Sequence, residues 1–209
     1  MPSLAYERAY WAQGAALVAG VDEVGRGAWA GPVVAAAVIL PPGAAVAACL
    51  AGVTDSKKLS PRERERLAAL ILEYAVAAAV GLAPPQEVDR AGLLPATAHA
   101  MTDALAGLPH DPDHLLLDGL PLRALGRPHT AIVRGDALCL SIAAASIVAK
   151  VARDRLMGEL DDIHPGYAFG GHKGYGTRAH AAALERLGPS PIHRLSYAPV
   201  AAIVAQSWA

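Results

Sequence analysis

Four acidic residues follow short apolar runs in this sequence, at positions where strands of a sheet would end. They are Asp22, Glu23, Asp118 and Asp136. Because ligand sites in α/β sheets collect at strand ends, we predict that the four side chains share one site. Carboxylate oxygens are preferred ligands of Mg2+ and Mn2+, and two such ions can activate a water and stabilise the leaving oxygen of a phosphodiester. The acids therefore predict a metal-dependent phosphodiester hydrolase.

Each of these acids also has a purely structural interpretation. Successive strand residues point to opposite faces, so Asp22 and Glu23 can serve one site only where the strand twists or ends. The glycines that follow them favour such an ending, although a solvated acidic turn remains an alternative. Asp136 precedes a helical run and can act as its N-cap.

The glycine loop after the acidic pair has the wrong spacing for a dinucleotide-binding fingerprint. After Gly25 and Gly27 the next glycine is Gly31, one position late, and Pro32 opens a second strand instead of a helix. The loop is instead a place where backbone can approach a ligand closely, because glycine has no side chain.

Basic residues are few, but the lysines are concentrated. The formal net charge is -1, from 18 basic and 19 acidic residues, a balance that by itself argues against a nucleic-acid partner. Against this, the chain has only the lysines Lys57, Lys58, Lys150 and Lys173, and each lies in a segment with other candidate functional residues. Chance is the alternative explanation for this distribution.

A glycine-rich loop at residues 171–177 carries Lys173 and Tyr175 and leads into a helix whose N-terminus can bind phosphate. Tyr175 can stack on a sugar or base, or pack as an ordinary loop tyrosine on the sheet edge. The eight histidines show no spacing typical of metal ligands. We expect most of them at the surface or the core edge, and leave His172 and His193 open.

Hydrophobic patterns and turn residues predict alternating strands and helices, which is typical of an α/β domain with a mixed sheet. The predicted strands are residues 15–21, 33–40, 76–82, 114–117 and 131–134. The predicted helices are residues 61–74, 93–105, 141–160 and 178–187. Ser60 with Glu63 should cap the first helix and Thr177 the last, and Lys150 should form a surface pair with Asp154.

Length and composition favour one cytoplasmic domain. A chain of 209 residues supports one core, so we expect a single domain over residues 1–209 with its core at about 15–204. The apolar run 33–40 is too short to span a bilayer, and no signal peptide is expected. Cys49 and Cys139 form no CxxC pair, which suits a reduced protein.

In this order, the segments resemble the ribonuclease HII family. Residues 20–40 (GVDEVGRGAWAGPVVAAAVIL) are similar to its first motif, and residues 55–59 (DSKKL) to its DSKxL motif. Asp118 and Asp136 fall where its third and fourth acids lie. Residues 144–154 (AASIVAKVARD) resemble its long-helix motif, and HKGYGT with GPSPIHR its C-terminal signature. The similarity covers roughly residues 19–200, and the joint pattern is much more specific than any one element.

The resemblance implies the ribonuclease H-like α/β fold, a mixed sheet flanked by helices in a single domain with a small C-terminal helical part. It implies cleavage of the RNA strand of RNA–DNA hybrids, including single ribonucleotides in duplex DNA, with Mn2+ or Mg2+ as cofactor. The catalytic metal ligands it implies are Asp22, Glu23, Asp118 and Asp136.

The resemblance also implies a substrate-binding set. Backbone around Gly25, Arg26 and Gly27 would read the ribose 2′-hydroxyl, and Tyr175 would stack on the sugar at an RNA–DNA junction. The candidates for phosphate contact are Lys57, Lys58, Lys150 and Lys173.

Some features depart from the family pattern. The chain is less basic than many members, so we expect weaker binding. A C-terminal helical extension is expected to be short or absent, no sliding-clamp motif is evident after Gln206, and we expect a monomer. The related ribonuclease HIII has an added N-terminal domain, for which too few residues precede Asp22.

Two other function classes remain as alternatives. A non-catalytic hybrid-binding protein would need the loops but not four carboxylates, and all four are present. A nuclease for branched or plain DNA would need no loop that recognises a ribose. Cleavage of matched substrates, one of which contains a single 2′-hydroxyl, separates these alternatives.

Overall fold

A five-stranded mixed sheet forms the centre of the protein in a computed structural model, which describes residues 1–43, 45–119 and 121–206. Its order is β3-β2-β1-β4-β5. β1 is antiparallel to β2 and parallel to β4, β2 is antiparallel to β3, and β4 is parallel to β5. The strands are β1 (Val18–Val24), β2 (Val33–Ile39), β3 (Ala77–Ala83), β4 (His114–Asp118) and β5 (Thr130–Ile132). The predicted mixed α/β fold is confirmed.

Helices cover both faces of this sheet. Within the described residues they are α1 (Ala5–Trp11), α2 (Ala45–Cys49), α3 (Pro61–Tyr74), α4 (Pro85–Ala91), α5 (Leu93–Ala106), α6 (Gly135–Leu138), α7 (Leu140–Ile163), α8 (Phe169–His172), α9 (Arg178–Leu187) and α10 (Ala198–Gln206). Short 3-10 turns lie at Ser56–Lys58 and Arg123–Leu125. None of the helices in the described ranges is long and apolar enough to cross a membrane.

The apolar strand β2 is buried on both faces, as continuous aliphatic runs in central strands are. Ala36 and Val38 join one hydrophobic cluster with α3 and α7. Ala35 and Ala37 point the other way and join a second cluster with α5. Two helical layers thus enclose the sheet, and α7 carries one long face of side chains past the end of β1.

The close contact between α7 and β1 depends on a glycine. A Cβ placed on Gly20 would lie 2.2 Å from the backbone carbon of Ser141, so no side chain fits there. α7 also receives a cap from a distant helix, because Glu7 Oε1 accepts a hydrogen bond of 2.8 Å from the Ser141 backbone N–H. These contacts fix the N-terminal half of α7 against the strand that carries Asp22.

Most predicted elements are present, with shifted ends. The helix at Pro61–Tyr74 and its Ser60–Glu63 capping box are confirmed, and Thr177 accepts a hydrogen bond from the backbone N–H of His180 as expected of a cap. The helix that ends at Leu187 is not the last, because α10 follows it. The positions after Gln206, where we saw no clamp motif, lie outside the described residues.

The predicted pair of Lys150 and Asp154 forms, but its predicted place at the surface is wrong. Lys150 Nζ donates to Asp154 Oδ1 at 2.7 Å, and both side chains are only 18% exposed. Arg64 of α3 lies 3.6 Å from the same carboxylate. α3 packs against α7, so this pair lies between two helices instead of on a solvated face.

Candidate active site

Strand register brings two of the predicted acids side by side. The parallel pairing of β1 with β4 ends at Val21 opposite Leu117, and Asp22 and Asp118 are the next residues on each strand. Beyond that point the two strands part, and a cleft opens between them. The acids that end the apolar runs therefore meet through the sheet, although 96 residues of sequence separate them.

The first strand does not end before its acids, as we had predicted, but continues to Val24. Its antiparallel pairing with β2 extends through Glu23 opposite Ala35 and Val24 opposite Val34. From Asp22 onward, β1 is unpaired only along the edge that faces β4, because its pairing with β4 ends at Val21. Departure of the neighbouring strand, and not an end of β1 itself, is what lets Asp22 and Glu23 border one cleft.

This cleft has a volume of about 410 Å³ and holds half of the predicted site residues. The lining residues comprise three acids, two lysines, a tyrosine, two serines and a valine: Asp22, Glu23, Asp118, Lys57, Lys150, Tyr175, Ser56, Ser146 and Val24. We call it the carboxylate cleft. Lysine ammonium groups that share a cleft with carboxylates can contact the phosphates of a nucleic acid.

Asp22 is the most deeply buried of these acids, with 6% of its surface exposed. Burial, and next the negative charges of Glu23 and Asp118, raise the pKa of Asp22 well above its usual range. A hydrogen bond from the Ser146 hydroxyl and one of 2.8 Å from the Glu23 backbone N–H act in the opposite direction. Ser146 is itself held by Ser56, whose Oγ is 3.0 Å away.

Asp118, the last residue of β4, lies near Asp136, which follows the end of β5. Asp118 Oδ1 accepts a hydrogen bond of 2.6 Å from the Gly135 backbone N–H. Asp136 is in the first turn of α6, whose N-cap is Arg134, so the N-cap interpretation of Asp136 is wrong. Burial and then the charge of Asp118 raise the pKa of Asp136. Asp136 is thus near Asp118, although it is not among the described residues that line the carboxylate cleft.

The loop after β1 presents Arg26 and Gly27 to solvent beside the cleft. Arg26 Nη1 lies 2.9 Å from Glu23 Oε1. A Cβ on Gly27 would meet nothing within 4 Å, whereas one on Gly25 would lie 2.2 Å from Arg153 Nε. Gly25 also has a φ of +91°, which L side chains rarely adopt. Gly25 is therefore required by the fold of the loop, and Gly27 is not.

Two fully buried arginines hold this loop and the loop at residues 171–177 by their backbone carbonyls. Arg153 of α7 donates to the carbonyls of Pro32, Ala30 and Lys173 at 3.0, 3.1 and 2.8 Å. Arg194 donates to the Arg26 carbonyl at 2.8 Å and to the Gly31 carbonyl at 2.9 and 3.1 Å. Their guanidinium groups thus replace the backbone partners that two irregular loops would otherwise lack.

Tyr175 is half-buried, and its ring borders the carboxylate cleft. Lys150 Nζ lies 5.8 Å and Arg153 Cζ 5.4 Å from the ring centroid. Of the remaining predicted lysines, Lys173 borders an adjoining cleft of about 560 Å³ with Lys150 and Tyr175. Lys58 is exposed and is not among the described residues that line either cleft.

Six of the eight histidines are exposed or partly exposed, as expected for most of them, but His180, which was not expected in the core, and His193, which was left open, are buried. His180 and His193 are 0% and 2% exposed, and their Nε2 atoms lie 3.0 Å apart. His172 stacks on His180 with ring centroids 4.3 Å apart. These rings lie behind Tyr175, since His180 Nδ1 is 3.0 Å from the Tyr175 carbonyl oxygen.

Comparison with known proteins identifies the family of this chain. Residues 19–200 match the family model described as Ribonuclease HII. The chain belongs to the ribonuclease HII family. It is 54% identical over 199 residues to the Synechococcus sp. ribonuclease HII, over 95% of this chain and 89% of that protein. It is 50% identical over 201 residues to the Chloroflexus aurantiacus ribonuclease HII, over 96% and 95% of the two chains.

Solved structures show the same fold. The ribonuclease H2 from Pyrococcus horikoshii OT3 is similar with a TM-score of 0.70 and 27% identity, over 91% of this chain and 98% of that one. The Bst ribonuclease HIII in complex with Mn2+ is similar with a TM-score of 0.61 and 25% identity, over 92% of this chain and 70% of that one. The ribonuclease H-like fold is confirmed. Family membership makes the chain a metal-dependent hydrolase of ribonuclease H type, which cleaves RNA in RNA–DNA hybrids.

The carboxylate cleft of this ribonuclease HII fits a hard divalent cation by its donor chemistry. Three carboxylates share one cleft, and Asp22 is buried beside two like charges, an arrangement that a cation would stabilise. Within the described ranges no three His, Cys, Asp or Glu side chains stand close enough together to hold an ion. The fit to a cation is therefore one of donor type, since carboxylates are the ligands that Mg2+ and Mn2+ prefer.

Sequence reasoning missed several residues that support the carboxylate cleft and the loops beside it. Ser146 and Arg153 lie on the face of α7 that also carries Lys150. Polar residues spaced four and three apart in an Ala- and Val-rich helix were a signal that could have revealed them. The roles of Arg194 and the two histidines depend on contacts across more than 10 residues, which spacing alone does not show.

Proposed function

We propose that this ribonuclease HII also cuts duplex DNA that contains a single ribonucleotide, on the 5′ side of that ribonucleotide. The products would carry 3′-hydroxyl and 5′-phosphate ends. The observation that carries the proposal is the carboxylate cleft, where Asp22, Glu23 and Asp118 lie beside Lys57, Lys150 and Tyr175. Carboxylates, cations and an aromatic ring around one cleft can position a phosphodiester, its sugar and a water.

In this proposal Asp22, Glu23, Asp118 and Asp136 hold the cofactor, two ions of Mn2+ or Mg2+. When bound, these ions would supply the charge that activates a water and stabilises the leaving 3′-oxygen. Ser146 donates to Asp22 and the Gly135 N–H donates to Asp118, so these two carboxylates are oriented before metal arrives. The Mn2+ complex of the similar Bst ribonuclease HIII supports the choice of metal.

Backbone N–H groups of Arg26 and Gly27 would recognise the ribose 2′-hydroxyl. The Arg26 carbonyl is already occupied by Arg194 Nη1 at 2.8 Å and by the Tyr197 hydroxyl. By contrast, the N–H groups of Arg26 and Gly27 have no hydrogen-bond partner in the described part of the chain. The 2′-hydroxyl distinguishes RNA from DNA and can accept from such donors. Since attack comes from water, the 2′-hydroxyl is recognised and is not the nucleophile.

Tyr175 would stack on the deoxyribose that follows the ribonucleotide, where the missing hydroxyl leaves room for the ring. Lys57 and Lys150 would contact phosphates at the cleft, and Lys173 and Lys58 are candidates for contacts farther along the strands. Because the ring makes the contact, Tyr175→Ala should reduce junction cleavage more than Tyr175→Phe does. Equal losses for both variants would assign the effect to the phenol instead.

Matched duplexes test this function. One duplex carries a single ribonucleotide and the control is all DNA of the same sequence, and products are mapped on sequencing gels. We expect a cut only in the first duplex, on the 5′ side of the ribonucleotide. A 2′,3′-cyclic phosphate end would mean that the 2′-hydroxyl attacks, and equal cutting of the control would mean a general DNA nuclease. Binding without any cut would support the non-catalytic alternative.

We further propose a monomer in the reducing cytoplasm. The support for a reducing compartment is that Cys49 and Cys139 are free thiols. Sedimentation of the protein with and without a hybrid tests the monomer, which a dimer mass in both samples would contradict.

A further inference from the structure

A chain of hydrogen bonds runs from Ser190 through two buried histidines to the backbone of Tyr175. Ser190 N–H donates to His193 Nδ1 at 2.9 Å, and His193 Nε2 lies 3.0 Å from His180 Nε2. His180 Nδ1 in turn lies 3.0 Å from the Tyr175 carbonyl oxygen. The two rings are 0% and 2% exposed, so bulk water does not replace these partners.

The Tyr175 end of the chain determines where the protons of the neutral pair lie. The Tyr175 carbonyl can only accept, so the His180 proton is on Nδ1, and His180 Nε2 accepts from His193 Nε2–H. His193 Nδ1 then has no proton and accepts from the Ser190 backbone N–H at 2.9 Å, with the Ser190 hydroxyl 2.8 Å from the same nitrogen. The two rings therefore adopt opposite tautomers.

Both rings must also be neutral for this arrangement to exist, because an extra proton on either ring would place two donors face to face. Burial lowers the pKa of His180, and burial followed by the charge of His180 lowers the pKa of His193 to about 4. The other titratable groups that act on the pair, His164 and His172, are cationic when charged and lower the pKa of His193 further. The pair therefore stays uncharged at neutral pH.

We propose that His180 and His193 are positioning residues that hold the Tyr175 backbone, and with it the ring, against the carboxylate cleft. The proposal rests on the proposed function, in which Tyr175 stacks on the substrate. Tyr175 and His193 border the same segment, since isolated bridges join Ala28 to Tyr175 and Ala30 to His193. The histidine pair thus links the loop that carries Tyr175 to the segment that carries His193, and both segments pair with residues 28–30.

Imidazole 15N chemical shifts test the tautomers without reference to activity. Of the eight histidines, two are assigned by loss of their signals in His180→Gln and His193→Gln. His110→Gln, at an exposed position, is the matched control. We expect an Nδ1–H tautomer for His180 and Nε2–H for His193, both neutral at pH 6, where a free imidazole is roughly three quarters protonated. Two Nε2–H tautomers, or a cation at pH 6, would overturn the proposal.

Two substitutions at His180 separate positioning from general stability. In His180→Asn an amide nitrogen near the Nδ1 position can still donate to the Tyr175 carbonyl. In His180→Gln the side chain reaches the Nε2 position and loses that donor. We expect His180→Gln to weaken binding of a junction duplex, and to slow its cleavage, by roughly tenfold. His180→Asn should retain most of both, with a similar Tm for the two variants.

The decisive comparison adds Tyr175→Ala. If the pair acts through Tyr175, His180→Gln should cost nothing further in a protein that already carries Tyr175→Ala. The same tenfold cost in both backgrounds would overturn the proposal, because it would assign the pair to the fold as a whole. The proposed function fails separately, if the unaltered protein binds the duplex without cutting it. In that case the effect of His180→Gln on duplex binding still tests the role of the histidine pair.

Discussion

Asp22 shows how the residues of the cleft depend on one another. It is buried beside Glu23 and Asp118, and a hydrogen bond from Ser146 partly offsets the cost of its charge. The sequence predicted the acids because apolar runs lead into them. It did not predict Ser146, since a serine in an Ala-rich helix is ordinary until the helix is seen to pass β1.

Gly27→Ala tests the proposed recognition of the 2′-hydroxyl. A Cβ at Gly27 meets nothing within 4 Å, so the folded protein should keep its Tm. The methyl group would, however, occupy the space where a ribose must approach the N–H groups of Arg26 and Gly27. We expect cleavage of a single-ribonucleotide duplex to fall at least tenfold, about the cost of one lost hydrogen bond to the substrate. Gly25→Ala is the contrast, because it should lower Tm by displacing Arg153. Unchanged cleavage by Gly27→Ala would remove this loop from ribose recognition.

Lys57 and Lys58 form a matched pair for testing phosphate contact. They are adjacent and both exposed, but only Lys57 is among the described residues that line the carboxylate cleft. Binding of a hybrid is measured across a range of salt concentrations. Lys57→Ala should reduce the slope of log K against log salt by about one unit. A slope that changes only in Lys58→Ala would assign the phosphate contact to Lys58 and contradict the role proposed for Lys57.

Elements were predicted well where their signals are local. The Ser60–Glu63 capping box sets the start of α3, and it lies within four residues of sequence. Strand ends were predicted less well, since β1 reaches Val24 by pairing with β2, a partner that the local pattern does not specify. β5 ends at Ile132, two residues earlier than predicted, because Arg134 adopts a left-handed conformation as the N-cap of α6.

Gly20→Ala tests the contact between β1 and α7 that positions Asp22 opposite Ser146. The added Cβ would lie 2.2 Å from backbone atoms, which cannot rotate away as a side chain could. We expect the free energy of unfolding to fall by about 3 kcal/mol, the upper end for overpacking. Gly158→Ala is the control within α7, with open space around it, and should stabilise by about 0.5–1 kcal/mol. Thermal or urea unfolding measures both, and a stable Gly20→Ala protein would contradict the close contact.

For the molecule as a whole, composition was a poor guide to function, whereas the alternation of elements was a good guide to the fold class. A net charge of -1 gives little indication of a nucleic-acid enzyme, whereas the alternation of strands and helices indicated the fold class. The strand order β3-β2-β1-β4-β5 was not accessible from the pattern, since it depends on which apolar runs pair. That order is what places Asp22 and Asp118 side by side.

The most direct test of the account is cleavage by Asp118→Asn. Asparagine keeps an Oδ1 that can accept from the Gly135 N–H, so the fold around β4 should persist, but it loses the anionic oxygen that a divalent cation needs. Asp111→Asn, at an exposed acid, is the control. At saturating Mg2+ we predict a loss of cleavage on the order of a thousandfold for Asp118→Asn, with Tm and hybrid binding nearly unchanged. Cleavage within a few-fold of the unaltered protein would contradict the assignment of the carboxylate cleft as the active site.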